Sequence, residues 1–220
     1  MLNDTYGNGQ QNLPKTLTDI VWFLQQENIT LSHTNGDGRL NSASDEAIIL
    51  NAINSKFNIM CGDLRDWFDF GFEENGIFCP VNIKISTLTT ADNLNCKLGI
   101  YYALTGQDPK QDPNFRNEIG WEEYFQKLSA NMQENNRDYY FLIINKTNTK
   151  DIFAISLKGL NILVPNGNNL PFQAIWNKNR QHVPRDFKEA KIFLLSNFEE
   201  SLRLRAEAYF HFKKYFNNYA

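Results

Sequence analysis

The chain has 220 residues, 42% of them hydrophobic, with 17 Phe, 9 Tyr and a net charge of −3. That length suits one domain around a sizeable core, read as residues 1–220 with a helical N-terminal part over about 1–60 and a helical, basic C-terminal part over about 176–220. No run of about 18 apolar residues occurs, which excludes a membrane-spanning helix, and no basic-then-apolar segment opens the chain, so no secretory signal is expected. Cys61, Cys79 and Cys96 lie far apart and are odd in number, and buried free thiols are expected rather than disulfides or zinc. Charge is uneven: residues 176–220 carry 9 basic and 5 acidic side chains, the preceding 175 carry 13 and 20. A basic tail on an acidic body suits phosphate contacts and a solvated helix equally well.

In chain order, Leu17, Val21 and Leu24 recur at helical spacing over 16–29, with Thr16 or Thr18 as a cap. Residues 30–44 are polar and read as a loop. A second helix is predicted over 44–59, capped by Ser44. On its wheel Ile49, Ile53 and Phe57 share one apolar arc, and Glu46 falls inside that arc in the first turn. A carboxylate there gains from the helix dipole, so the position fits either a site or an ordinary N-terminal acid. Strands are expected around 66–72 and 77–86. Then come a helix over 90–106 closed by Gly106, a helix over 121–135, and strands over 138–147 and 151–165. A loop over 166–186 with a short strand inside leads to a long terminal helix over 187–216. The order is mixed α/β, with a central mixed sheet flanked by helices.

The stretch from Phe68 to Ser86 carries the chemistry. Asn75-Gly76 is the strongest two-residue hairpin signal, because both turn positions need positive φ. With that turn Glu74 pairs with Ile77 and every opposed pair sums to 151. Asp69 then faces Asn82, and Trp67 faces Lys84, with opposed Cβ atoms roughly 5 Å apart. Alternation puts Asn82, Lys84 and Ser86 on this face and Val81, Ile83 and Ile85 on the other. A carboxylate, an amide and a lysine are costly to place together in a core without a purpose; an exposed hairpin face would carry them freely. A calcium-loop reading of Asn35, Asp37 and Glu46 fails, because Arg39 and Leu40 stand where a ligand and the bend glycine are needed.

Helical Glu, hairpin Asp, and x-x-Lys on the next strand: this order resembles the PD-(D/E)xK nuclease superfamily, best known as type II restriction endonucleases. The resemblance rests on Glu46, Asp69 and Asn82-Ile83-Lys84, and on the order of elements over most of the chain. More loosely, it rests on the phrases "NSASDEAIIL", "PVNIKISTLTTADNLNCKLGIYYALTG" and "NLPFQAIWNKNR". It implies a restriction-endonuclease-like core and Mg²⁺ held by Asp69, Glu46 and Asn82. It implies catalysis by Asp69, Lys84, Asn82 and Glu46 on double-stranded DNA at a short palindromic site. A homodimer in the cytoplasm of a prokaryotic cell completes the expectation. In the blunt-cutting subset a late Gly/Asn-rich loop reads bases in the major groove, and Pro165 to Gln173 sits in a comparable place; residues 33–41 correspond more faintly to a minor-groove loop.

Asn and Gln can bridge adenine, and Lys or Arg can bridge guanine. Candidate base readers are therefore Asn166, Asn168, Asn169, Gln173, Asn177, Lys178, Asn179 and Arg180. Each taken singly also fits an ordinary loop residue. Arg203, Arg205, Lys213 and Lys214 on the terminal helix suit backbone phosphates or a dimer contact. One departure stands out. The family's second acid is Asn82 here, a neutral and weaker ligand for Mg²⁺. Three readings follow from it: one metal held by Asp69, water and the scissile phosphate; Glu46 supplying the missing charge, the favoured one; or a catalytically inactive DNA-binding module of the same fold. A structure-specific repair nuclease and an α/β domain of unrelated function are separate rivals.

Overall fold

A computed structural model describes residues 13–31, 38–63, 66–112, 115 and 119–216. The helices are α1 (Lys15–Gln26), α2 (Gly38–Asn54), α3 (Lys97–Thr105), α4 (Trp121–Asn131) and α5 (Phe187–Tyr215). The strands are β1 (Met60–Cys61), β2 (Phe70–Glu74), β3 (Ile77–Ser86), β4 (Ala91–Asn93), β5 (Tyr140–Asn145), β6 (Ile152–Ser156) and β7 (Gln173–Ile175). Five strands form one mixed sheet in the order β1-β2-β3-β5-β6, flanked by helices. Among the described residues only β3 and β5 run parallel, and the connection between them holds α3 and α4. β4 and β7 form a separate antiparallel ribbon.

The hairpin forms where the turn dipeptide puts it. Asn75 and Gly76 have φ of 54° and 72°, the left-handed pair that matches strand twist. Its ladder runs from Glu74 opposite Ile77 to Phe70 opposite Val81, so each pair sums to 151. Each face of the sheet packs a core. Phe70, Val81, Ile83, Leu142 and Ile144 meet Leu17, Ile20 and Leu24 of α1 and Ile49 and Ile53 of α2. Phe141, Ile143, Phe153 and Ile155 meet the apolar sides of α3, α4 and α5 on the other face. Asn82 and Lys84 project on that second face, as the pleat requires.

α1 starts at Lys15 and is not capped by Thr16 or Thr18. Pro14 occupies the cap position, and the Glu74 carboxylate of β2 accepts from the Lys15 and Thr16 N–H groups at 2.8 and 2.7 Å. Burial raises the Glu74 pKa, but these hydrogen bonds outweigh it and the net shift is downward. A lowered carboxylate pKa contributes stability above the unfolded value of roughly 4.3 and loses it as pH falls through the folded value. Glu74→Ala is therefore expected to cost about 1 kcal/mol at pH 7 and progressively less as pH falls below the unfolded value, read from urea melts across that range.

Three other expectations need correcting. α2 begins at Gly38, not Ser44, so residues 38–43 extend the helix backward and Ser44 lies inside it. The minor-groove stretch falls partly outside the described residues, and its remainder is helix. Residues 91–93 are strand rather than helix because they pair with β7, and α3 starts only at Lys97, after Asn95 at φ 50°. The predicted strand 151–165 stops at Ser156, with Val164 making an isolated bridge to Gln173. α5 matches its expected span and is fixed by a capping box of Asp186 and Glu189.

Candidate active site

The hairpin and α2 bring Glu46, Asp69, Asn82 and Lys84 into one electrostatic neighbourhood. The Asp69 N–H, just before β2, donates to Val81 O at 3.0 Å, one residue out of the hairpin register, so the regular ladder ends at Phe70 opposite Val81. The Asp69 carboxylate accepts from the Ile83 N–H at 2.5 Å and from the Asn82 side-chain amide. These contacts fix the Asp69 rotamer across the strand pair. Burial raises the Asp69 pKa, opposed by the Ile83 N–H, by Lys84 and by Asn82.

Lys84 is half-buried, and its ammonium donates to the Asn93 carbonyl at 3.0 Å. Burial lowers its pKa, and Asp69 is the strongest opposing charge. Loss of solvent does this, since an ammonium in a poorly solvated place holds its proton less firmly. Glu46 is half-buried, one turn before the buried Ile49. Burial first and Asp69 second push its pKa up to about 7, against the pull of Lys84. Two carboxylates therefore compete for one positive side chain.

Whether these residues suit a hard divalent cation is decided by what they lack. The Asn82 Oδ1 is buried and has no hydrogen-bond partner, although a buried carbonyl without a donor costs about 1–3 kcal/mol. Glu46 and Asp69 supply negative charge beyond what Lys84 balances. Among the described residues no cluster of three or more His, Cys, Asp or Glu side chains exists. A cation here would therefore take two carboxylates and neutral oxygens. Mg²⁺ accepts such a set, keeping waters and substrate phosphate oxygens in the remaining positions, and the residues fit it.

A cleft of about 400 Å³ opens beside the site, lined by Asp66, Trp67, Asn82, Lys84, Lys97 and Trp121 among others. Trp67 is stacked on Tyr139, and its Nε1 is the other orphaned buried side-chain atom among the described residues. Lys97 lies 4.8 Å from the Trp121 ring centre and donates to Ile119 O at 2.9 Å.

The late loop reaches the site through the β4–β7 ribbon. Gln173 donates to Asn93 Oδ1 at 2.6 Å, and Asn166 donates to Gln173 Oε1 at 2.8 Å. A hydrogen-bonded chain thus runs from Lys84 through Asn93 and Gln173 to Asn166. Asn93 was missed in the sequence because its role depends on a strand pairing across 80 residues. Asn168, Asn177 and Lys178 are exposed, and Asn169 is half-buried.

Two candidates are otherwise employed. Asn179 is fully buried; its amide donates to Ile162 O and Ile175 O, and its Oδ1 accepts from the Ile162 N–H. It clamps the chain and cannot reach a base. Asn179→Ala is expected to cost about 2 kcal/mol or more, because it strands three backbone groups; the midpoint of chemical unfolding reads it. Arg180 forks onto Asp151 at 2.9 and 2.7 Å and covers the Phe153 ring. On α5, Arg203 is paired with Glu200 and Glu207, and Arg205 donates to Gly167 O and Asn168 O. Lys213 and Lys214 lie at the far end of the helix.

No helix among the described residues is long and apolar enough to cross a membrane. No family model and no curated protein matches the chain.

Proposed function

We propose that the protein is a Mg²⁺-dependent, type II site-specific endonuclease that hydrolyses phosphodiester bonds of double-stranded DNA. The observation that carries this reading is the hairpin bringing Asp69, Asn82 and Lys84 together, with Glu46 of α2 within electrostatic reach of Asp69 and Lys84 and the Asn82 oxygen orphaned. Surplus carboxylate charge, an unfilled oxygen and an ammonium beside an open cleft suit phosphoryl chemistry. The restriction-endonuclease-like reading of the core belongs to the same proposal, as does a place in the cytoplasm of a prokaryotic cell.

Bound Mg²⁺ lowers the pKa of a water and neutralises phosphate oxygens. Glu46, Asp69 and the Asn82 carbonyl would hold it. The Ile83 N–H keeps the Asp69 carboxylate oriented, so no rotamer search is needed when substrate arrives. The Lys84 ammonium would contact the attacking water and a phosphate oxygen, stabilising charge that builds there. Asn166, Asn168, Asn169 and Gln173 then lie on the loop that faces bases. A palindromic site is read by two copies related by a two-fold axis.

A second reading, a DNA-binding module without catalysis, is favoured by Asn82 standing where a charged ligand is expected. The experiment is incubation of the purified protein with phage DNA and Mg²⁺, beside a Ca²⁺ control. Discrete bands in Mg²⁺ alone support the endonuclease. Cleavage that follows DNA structure and gives no fixed bands points to a repair nuclease. A mobility shift without cleavage supports the binding module.

A further inference from the structure

A second cavity lies toward the other end of the central sheet. It holds about 360 Å³ and is lined by Arg137, Asp138, Ser156, Lys158, His182 and Arg185 among others. The candidate active site is well removed from it. Lys84 pairs with Ile143, six residues along the chain from Arg137 and about 20 Å away at strand rise. Ser156 pairs with Tyr140, and Asn82 with the next residue, Phe141. The pleat therefore puts Ser156 and Asn82 on opposite faces of the sheet.

Three basic side chains meet in this cavity. Among the described residues no carboxylate lies within ion-pair distance of Arg137, Lys158 or Arg185, whereas Arg180 and Arg203 each hold one. Their partners are neutral oxygens. Arg137 donates to Tyr102 Oη at 3.2 Å, Lys158 to Arg137 O at 2.6 Å, and Arg185 to Lys158 O and Leu160 O at 3.0 and 2.7 Å. A guanidinium has five N–H donors and an ammonium three, so Arg137 and Lys158 keep most of theirs. Both are half-buried, and the Phe187 ring walls Lys158 at 5.6 Å.

The acids that share the cavity are committed to other donors. Asp138 accepts from the Tyr139 and Lys158 N–H groups at 2.8 and 3.3 Å and from the Ser156 hydroxyl. Its charge acts on Lys158 only from beyond ion-pair distance. Asp186 caps α5 through the Glu189 N–H at 2.7 Å, and Glu134 is exposed. His182 registers the local field: after burial, the Arg185 charge is what lowers its pKa. Cations withdrawn from water are ordinarily paired, and these three are held by dipoles.

We propose that this cavity binds a small phosphate-bearing ligand, with the Arg137 guanidinium and the Lys158 ammonium on its oxygens. A guanidinium fork matches two oxygens of a tetrahedral oxyanion, and an ammonium brings a point charge to a third. A phosphate monoester carries about −1.5 to −2 at pH 7, enough to balance two cations. The volume is at the small end for ligand cavities. It suits inorganic phosphate or a mononucleotide and is too small for a duplex.

The test is calorimetric titration of the full chain with inorganic phosphate and with adenosine 5′-monophosphate, at constant ionic strength and without DNA or Mg²⁺. Neither probe is a DNA diester, so the outcome is independent of the endonuclease reading. A Kd of about 1 mM or below is expected, weakened tenfold or more in Lys158→Met and in Arg137→Gln and unchanged in Lys84→Met. Lys158→Met keeps the aliphatic stem against Phe187, Arg137→Gln keeps a donor for Tyr102, and melting temperatures check that each folds. Tighter binding of the ester makes an organic phosphate the ligand, and equal binding makes it the free ion; both support the site. No saturation by about 20 mM overturns the proposal, as does binding that survives both substitutions. Binding lost in Lys84→Met instead places the anion in the active-site cleft and overturns it too.

Discussion

Lys84→Ala is expected to reduce Mg²⁺-dependent cleavage by about 10³-fold or more, the loss typical of removing a charge that stabilises a transition state. DNA binding in Ca²⁺ should persist, since one ammonium is a small part of a phosphate-contacting surface. Stability should persist too. A lysine whose pKa is lowered by burial carries its charge at a cost to the folded state, so Lys84→Met, which keeps the aliphatic stem, is expected to fold at least as stably as the parent. The pair separates chemistry from folding. Full activity of either variant in a preparation free of contaminating nuclease would sink the assignment of Lys84.

Glu46→Gln is expected to stabilise the metal-free protein at pH 8 while abolishing cleavage. The sign follows from a folded pKa of about 7, above the unfolded value of roughly 4.3. Between these values the native state holds a proton that the unfolded state has released. Stability therefore falls as pH rises through this window, and the ionised carboxylate is a burden above it. Glutamine keeps the shape and removes the charge. The gain is about 1 kcal/mol once solvent screening of a half-exposed carboxylate is allowed for, or ~2–4 °C in melting temperature for a chain of this size. It should fade by pH 4.5. Equal melting temperatures at pH 8 would mean that neither burial nor Asp69 penalises an ionised Glu46 in the folded state.

The hairpin was legible because its information is local. Asn75-Gly76 sets the turn, the turn sets the register, and the pleat sets the face on which Asn82 and Lys84 stand. Glu46 stands half-buried one turn before Ile49 on α2, where its helical spacing from Ile49 and Ile53 puts it. Where partners are distant the sequence is silent. "ADN" at residues 91–93 has no strand-like alternation and becomes strand only against β7. Glu74 caps a helix that begins 59 residues earlier, which no local capping pattern announces. Asn179 sits among polar loop residues and looks like its neighbours; only the enclosing backbone of Ile162 and Ile175 makes it structural. Asn82 was read as a departure from a motif, but that its amide turns to Asp69 and leaves its oxygen unmatched depends on three-dimensional surroundings.

The tether between Lys84 and the Asn93 carbonyl has a consequence for fidelity in the proposed enzyme. Asn93 is held by Gln173, so the group that would act on phosphate and the loop that would read bases share one short ribbon. A noncognate sequence that leaves Gln173 on Asn93 also leaves the ammonium occupied. Such a site is penalised twice, once in affinity and again in the chemical step. Discrimination between correct and incorrect DNA would then be larger in turnover than in binding, and a protein that lingers on many sequences would still cut few of them.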